Sequence, residues 1–349
     1  MSIPIPLDDS LIPPEKSAAV TLALREAFGV TAVEDIRRLT KGNATSRVFR
    51  IVVRGSPFVL KIIMRTDDPT RHFACMRAAA AAGLAPRVWH TNIADKIAIT
   101  DFVEEAPFPV TDALIRIPAV LRTLHALPPF PGVPNRINTS CMFLINQGPE
   151  VDGFIQRIRA AKFLPERETE ELLACHAQLA AVYPRHDPDM VSSHNDLFKP
   201  DNTLFDGHRV WLVDWEAAFL NDRYADLAVV ANLVVTNDTE EKIYLQEYFG
   251  KPPDRYQLAR FFLMQQVAHI FYAMGYLLFG SEGQPLDLSE TAPDFRDLHR
   301  RIWAGEVNLK DRQMKIAYGR VHRERLLQNM RQARFGESVR ILSDRYASS

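Results

Sequence analysis

Cysteine is scarce in this chain, with three residues, Cys75, Cys141 and Cys175, spread over 349 positions. An odd number so widely spaced forms neither a zinc-ligand pattern nor a disulfide framework, which excludes the small stapled secreted folds and fits a reducing cytoplasm. Net charge is nearly missing as well, because 42 lysines and arginines almost cancel 43 aspartates and glutamates. Nothing in that balance calls for nucleic acid as a partner. The opening residues MSIPIPLDDSLIPPEK contain no basic region ahead of a long apolar run, so they do not read as a secretory signal. One run, 261–279, has the length and apolar character of a membrane span, but Gln265, Gln266 and His269 interrupt it and the chain has no second candidate. It reads as a buried helix whose three polar residues are hydrogen-bonded in a core, with no membrane as partner. Internal repeats and long low-complexity tracts are absent too.

What is present is an ordinary globular composition, 47% hydrophobic and 24% charged, at a length comfortable for two cores. Residues 15–28 have helical character and close at Gly29. Strands follow at 36–39, 47–53 and 58–63, the first two separated by Lys41-Gly42-Asn43-Ala44-Thr45-Ser46. A Gly-containing turn between strands lets backbone N–H groups approach phosphates, which makes Thr45 and Ser46 candidate nucleotide contacts. The third strand, Phe58-Val59-Leu60-Lys61-Ile62-Ile63, carries one charge. A lysine among apolar neighbours is costly unless its ammonium reaches an anion. The helix at 70–82 contains no acid, and strands at 87–90 and 96–103 follow it.

From Pro107 the pattern turns helical, with segments at 112–127, 152–162, 167–183, one ending near 235, and 240–249 ahead of the apolar run. The last stretch, 294–344, is charged and helical, and its Arg-rich faces at 320–334 are expected to point into solvent. Strands first and helices afterwards predict a two-lobe α+β architecture. The expected division leaves 1–103 as a nucleotide-binding lobe with a leader helix and 104–349 as a catalytic and substrate-binding lobe.

Residues 191–216, VSSHNDLFKPDNTLFDGHRVWLVDWE, interrupt the helices. Thr203-Leu204-Phe205, the turn Asp206-Gly207 and the alternating run 209–215 read as a β-hairpin. Such a hairpin folds Asp196 and Asn202, which precede it, back towards Asp214 near its far end. Three oxygen-bearing groups facing one small volume suit a hard cation such as Mg²⁺ on a polyphosphate.

The order His194-Asn195-Asp196, then Asn202, then Asp214 after a hydrophobic strand resembles the catalytic segment of the choline/ethanolamine kinase and aminoglycoside phosphotransferase superfamily. That resemblance implies a protein-kinase-like fold, with a small N-terminal antiparallel sheet lobe and a larger, mainly helical C-terminal lobe. It also implies ATP and Mg²⁺, with Asp196 as catalytic base and Asn202 and Asp214 as metal ligands. Lys61 matches the strand lysine that contacts the phosphates, and Asp101 to Val103 match the hinge whose backbone meets the adenine edge. The family spacing places Asn five residues after the base, where this chain has Asp201; Asn202 is the sixth. Asn202 is preferred because Thr203-Leu204-Phe205 runs on from it as the family strand does, with Asp201 as the alternative. The helix glutamate that pairs with the lysine in many kinases has no counterpart in 70–82.

The implied reaction moves the γ-phosphoryl group of ATP onto a small-molecule hydroxyl, with an amino alcohol such as choline or ethanolamine as first choice. Trp215, Glu216 and Tyr224 are the candidate acceptor contacts, since aromatic faces and a carboxylate suit an ammonium. An aminoglycoside or another metabolite is the alternative acceptor, and a nucleotide-binding pseudokinase is the alternative of another class. Asp226, in the YADLA run at 224–228, reads as a cap of the helix there or as a brace for the catalytic loop, and the resemblance favours the brace. Oligomeric state is not addressed by any of these signals.

Overall fold

The computed structural model describes residues 11–39, 46–130, 149–183, 190–198, 200–289 and 291–347. In chain order the described strands are β1 (Asp35–Arg38), β2 (Ser46–Val53), β3 (Ser56–Ile63), β4 (Val88–Asn92), β5 (Ile97–Asp101), β6 (Met190–Ser193), β7 (Thr203–Phe205), β8 (Val210–Leu212) and β9 (Phe219–Asp222). The helices are α1 (Pro14–Phe28), α2 (Thr70–Ala81), α3 (Val110–His125), α4 (Pro149–Ala161), α5 (Glu166–Val182), α6 (Arg223–Val234), α7 (Asp238–Phe249), α8 (Arg255–Ser281), α9 (Phe295–Trp303), α10 (Arg312–Met330) and α11 (Ala333–Ala347). Two compact units result: Met1–Phe108 with Pro129–Val133 and Asp201–Ala218, and Pro109–Pro128 with Pro134–Pro200 and Phe219–Ser349. The α+β class expected from the sequence is borne out, with an antiparallel sheet in the first unit and helices dominating the second.

The first unit is built on a sheet of order β1-β2-β3-β5-β4, antiparallel throughout. Helix α1 starts at a proline, whose missing N–H is harmless there, and stops at Gly29, whose φ of 71° lets its N–H close on the Arg25 carbonyl. Val20, Ala23 and Leu24 of α1 are buried with Phe49, Ile51, Leu60, Ile62, Ile97 and Ile99 of the sheet. Side chains alternate along a strand, so burying Leu60 and Ile62 turns Lys61 to the other face, in register with Val48 and Ala98. A one-residue slip would drive its ammonium into the apolar core, which pins the register. The β7–β8 hairpin belongs to this unit and is tied to it by Leu212 N–H donating to the Leu84 carbonyl at 2.8 Å. Its second strand is shorter than the expected 209–215. Asp214 takes a left-handed conformation (φ 66°, ψ 62°) and Trp215–Ala217 form a 3₁₀ turn, which ends the pairing at Leu212.

In the second unit, β6 pairs antiparallel with β9, Ser192 facing Leu220, a pairing not expected from the sequence. Helix α8 carries a capping box, Asp254 accepting from the Gln257 N–H while the Gln257 side chain accepts from the Asp254 N–H. It is long and apolar enough to cross a membrane, but 72% of its most apolar stretch is buried in protein. Gln266 donates to the Phe262 carbonyl at 2.7 Å and accepts from Asn329 at 3.0 Å, and His269 Nδ1 lies 2.8 Å from His322 Nδ1. Gln266 and His269 thus make the core hydrogen bonds expected of that helix, whereas Gln265 is only half-buried. Burial holds both histidines well below the usual imidazole range, so the pair is neutral.

Of the five arginines in 320–334, Arg331 is exposed as expected, but the other four do not form a solvated face. Arg320 is buried, Arg323 donates to Glu171 at 2.7 Å, and Arg334 forks onto the buried Glu241. Arg325 lies over the Phe295 ring at 4.7 Å. Their carboxylate and aromatic partners sit on α5, α7 and α9, which helix periodicity alone does not reveal.

Helices α8 and α10 cross in close contact because two positions have no Cβ. A Cβ on Gly319 would fall 2.9 Å from the Leu277 amide nitrogen, and one on Gly280 would fall 2.7 Å from Ile316 Cγ1. Backbone cannot yield as a side-chain tip does, so Gly319→Ala is expected to destabilise the protein by about 1–3 kcal/mol, the usual range for overpacking. Gly336→Ala on α11, which meets nothing within 4 Å, is the control and should not lower stability. Denaturant unfolding of both variants checks this, and equal midpoints would contradict it.

Candidate active site

In the first unit the chemistry gathers around Lys61 and Asp214. The Lys61 ammonium leaves the sheet on the face away from the core and meets Asp214 Oδ1 at 2.6 Å. Their side chains are 17% and 23% exposed, so the pair is largely out of water. His72, on the first turn of the acid-free helix α2, is buried. Burial first, and then the Lys61 charge, push its imidazole down to about 3, which keeps it uncharged at neutral pH. The missing helix acid is therefore not replaced from α2; the counter-charge of Lys61 is Asp214.

Asp214 lies just before a turn held by two arginines. Arg71 on α2 donates to the Glu216 and Ala218 carbonyls at 2.8 and 2.7 Å, and Arg65 donates to Glu216 Oε2 at 2.7 Å. Asn202 is 5% exposed, whereas its neighbour Asp201 is exposed, and the Val213 N–H donates to the Asn202 carbonyl at 3.0 Å. That bond sets Asn202 beside the residue preceding Asp214. The hinge positions are described as well. The Asp101 N–H is committed to the Arg87 carbonyl at 2.9 Å and its carboxylate accepts from Trp89 Nε1 at 2.6 Å. Val103 lies two residues past the end of β5, and Ser46 opens β2 opposite Ile63. Thr45 lies outside the described residues.

The second unit holds Asp196, 8% exposed, on the loop after β6. Asn195 adopts a left-handed backbone at φ 65°, which an L-residue keeps only when its surroundings hold it there. Asp226 supplies that hold. Its two carboxylate oxygens accept from the His194 and Asn195 N–H groups, each at 2.8 Å. His125 Nε2 lies 3.2 Å from the same carboxylate, and His125 Nδ1 is 2.7 Å from the Tyr248 hydroxyl. Burial alone would raise the Asp226 carboxyl, but the hydrogen bond and charge of His125, with His194, outweigh it and hold it below the usual carboxylate range. The N-cap of α6 is Asp222, which accepts from the Tyr224 N–H, so Asp226 braces the loop that bears Asp196 and does not cap the helix.

The aromatic side chains divide differently from the expectation. Trp215 is 1% exposed, donates to the Leu212 carbonyl and packs edge-on against Phe130. Tyr224 is 2% exposed, with Arg260 over its ring at 5.0 Å. Both rings are enclosed by protein, so neither presents a face to an acceptor; the assignment of these two as acceptor contacts is corrected to core packing. The aromatic side chain that feels the Asp196 charge is Tyr276, with Phe198 and Tyr272 packed near it. Burial and then the Asp196 charge push the Tyr276 hydroxyl up, and Phe198 packs 5.3 Å from Tyr272 and 6.1 Å from Tyr276. Phe198 follows Asp196 by two residues, a signal present in the sequence but not used. Arg71 and His125 left no signal, because each reaches partners 100 or more positions away.

Residues 35–261 match the family model described as "Phosphotransferase enzyme family". Among solved structures, the chain is similar to a choline/ethanolamine kinase family protein from Mesorhizobium loti, at 21% identity and a TM-score of 0.62, covering 94% of this chain and 98% of that one. It is similar to the choline kinase LicA from Streptococcus pneumoniae at 14% identity and a TM-score of 0.52, covering 95% and 99%. It is also similar to a macrolide 2′-phosphotransferase from Brachybacterium faecium at 18% identity and a TM-score of 0.54, covering 83% and 98%. No curated protein matches the sequence. At these identities the neighbours establish a kinase-like fold.

Removing the Asp226 carboxylate strands two buried N–H donors, each costing about 1–3 kcal/mol when left unsatisfied. Asp226→Ala should therefore lower unfolding free energy by at least that amount. The folded pKa is depressed, so the stability that Asp226 provides is fully present above the ordinary carboxylate pKa of about 3.9 and is lost as pH falls through the depressed value. Unfolding curves of wild type and variant should converge on acidification, and a constant gap down to pH 2 would contradict the brace.

Proposed function

The chain belongs to the phosphotransferase enzyme family, and from that premise we propose that it transfers the γ-phosphoryl group of ATP to a hydroxyl of a small amino alcohol of the choline or ethanolamine kind. The observation that carries this reading is the Lys61–Asp214 contact at 2.6 Å. It joins the one cation of an apolar strand, suited to a phosphate, to a carboxylate held in a left-handed turn, suited to the metal ion that phosphates carry. In this reading residues 1–103 hold the nucleotide and 104–349 bind the acceptor. Lys61 reaches the phosphates, and the backbone at Asp101 and Val103 meets the base. The Val103 N–H, with no hydrogen-bond partner among the described residues, is the better donor of those two.

Asn202 and Asp214 would hold Mg²⁺. An amide oxygen and a carboxylate are hard donors that suit it, and burial favours Asn202 over the exposed Asp201. Bound there, the ion would neutralise phosphate charge. Asp196, fixed by the Asp226 brace, orients the acceptor hydroxyl and takes its proton. The hydroxyl oxygen forms a bond to the γ-phosphorus, the bond from that phosphorus to the bridging oxygen breaks, and ADP leaves. Phe198 and Tyr276, both half-buried, support an ammonium-bearing acceptor, since aromatic faces beside a carboxylate attract a cation. Free, buried thiols at Cys75 and Cys175 accord with a reducing cytoplasm.

A macrolide or aminoglycoside hydroxyl is the second reading for the acceptor, because the fold is shared with a phosphotransferase of that kind. ADP release from Mg·ATP across amino alcohols, aminoglycosides, macrolides and sugars tests both. Amino alcohols should give acceptor-dependent turnover, and Asp196→Asn should reduce it by about 10²-fold or more, the usual contribution of a general base. Turnover with antibiotics alone would move the acceptor to the second reading. Nucleotide binding without turnover on any acceptor would favour a pseudokinase.

A further inference from the structure

Helix α2 begins with no acidic residue, yet it carries a guanidinium that reaches the segment just past Asp214. Arg71 Nη1 donates to the Ala218 carbonyl at 2.7 Å, and Nη2 donates to the Glu216 carbonyl at 2.8 Å. A planar guanidinium with two parallel donors fixes both the distance and the angle between its acceptors, which a lysine cannot do. The two carbonyls flank the end of the 3₁₀ turn Trp215–Ala217, on the segment that follows Asp214. Arg65 holds the Glu216 side chain at 2.7 Å from a second direction.

Asp214 needs such an anchor. Its φ of 66° and ψ of 62° lie in the left-handed region, which aspartate enters more readily than most residues with a Cβ but less readily than glycine, and it has no cap hydrogen bond from its own side chain. The turn that follows it can keep that conformation only if it is itself held. We infer that Arg71 is the positioning residue of the metal-ligand segment: it reverses the usual polarity, so that α2 grips the backbone after the carboxylate by a cation instead of gripping Lys61 by an acid. This rests on the reading of Asp214 as a ligand of the nucleotide's metal, and it assigns the work of the missing helix acid to a different contact. The Lys61–Asp214 pair and the Arg71 clamp then act in series, the clamp fixing the carboxylate and the carboxylate fixing the ammonium.

The test compares Arg71→Met, Arg71→Lys and Arg77→Met, the last an exposed α2 residue whose guanidinium bonds Thr91. Hydrogen–deuterium exchange at 213–219 reads the clamp itself. It should speed up at least tenfold in Arg71→Met, partly recover in Arg71→Lys, and stay at the wild-type rate in Arg77→Met. Mn²⁺ titration in the presence of a non-hydrolysable ATP analogue, read by electron paramagnetic resonance, tests the link to Asp214. Affinity for the metal should fall about tenfold in Arg71→Met, that is about 1.4 kcal/mol, with the acceptor KM unchanged wherever turnover is measurable. Unchanged exchange at 213–219, or faster exchange with unaltered Mn²⁺ affinity, overturns the inference. Absence of metal–nucleotide binding in the wild type, together with an intact exchange difference between the variants, would instead count against Asp214 as ligand and leave the clamp established.

Discussion

The ion pair between Lys61 and Asp214 is the constraint on which the first unit depends. A lysine in β3 is tolerable only because strand alternation turns it away from the core of Leu60 and Ile62, and only because an anion waits on the other side. Two unit charges 4 Å apart attract by about 1 kcal/mol in water and about 4 kcal/mol at an effective dielectric near 20. With roughly four-fifths of each side chain shielded, the Lys61–Asp214 pair belongs nearer the second figure than the first. The neutral His72 and the acid-free α2 offer no competing anion, so Asp214 is the partner that the ammonium finds.

Both units solve one problem in the same way. Asp214 and Asn195 each hold a left-handed backbone conformation without being glycine, at φ 66° and 65°. Each is held by groups far away in sequence, a guanidinium on α2 for one and a buried carboxylate on α6 for the other. The polarity is opposite, since Arg71 grips carbonyls and Asp226 grips N–H groups. Strained backbone persists when the surroundings over-determine it, and the contacts of Arg71 and Asp226 tie down the segments concerned. His125 and Tyr248 extend the second anchor into α3 and α7, so the loop bearing Asp196 is tied to three helices of its unit.

The parts legible in the sequence were those with a local physical signal. Pro14 and Gly29 bracket α1, a single charge in an apolar strand exposes Lys61, and the turn Asp206-Gly207 between Thr203-Leu204-Phe205 and the alternating run after it marks the β7–β8 hairpin. The β6–β9 pair escaped because Met-Val-Ser-Ser and Phe-Leu-Asn-Asp are too short and too polar to show alternation. Trp215 and Tyr224 look the same in sequence whether they line a cleft or fill a core; only burial separates the two. The arginines of α10 and its flank read as a solvated face because Glu171 and Glu241, which receive them, lie on α5 and α7. Arg71 is the same kind of omission, a long-range partner with no local trace.

The most direct test of the account is the crystal structure of the complex with Mg²⁺ and a non-hydrolysable ATP analogue. The account predicts the metal on oxygens of Asn202 and Asp214, with the Lys61 ammonium transferred from Asp214 to a phosphate oxygen and the Arg71 contacts to Glu216 and Ala218 retained. A metal bound to Asp201 in place of Asn202, or a nucleotide bound while Lys61 stays on Asp214, would contradict it.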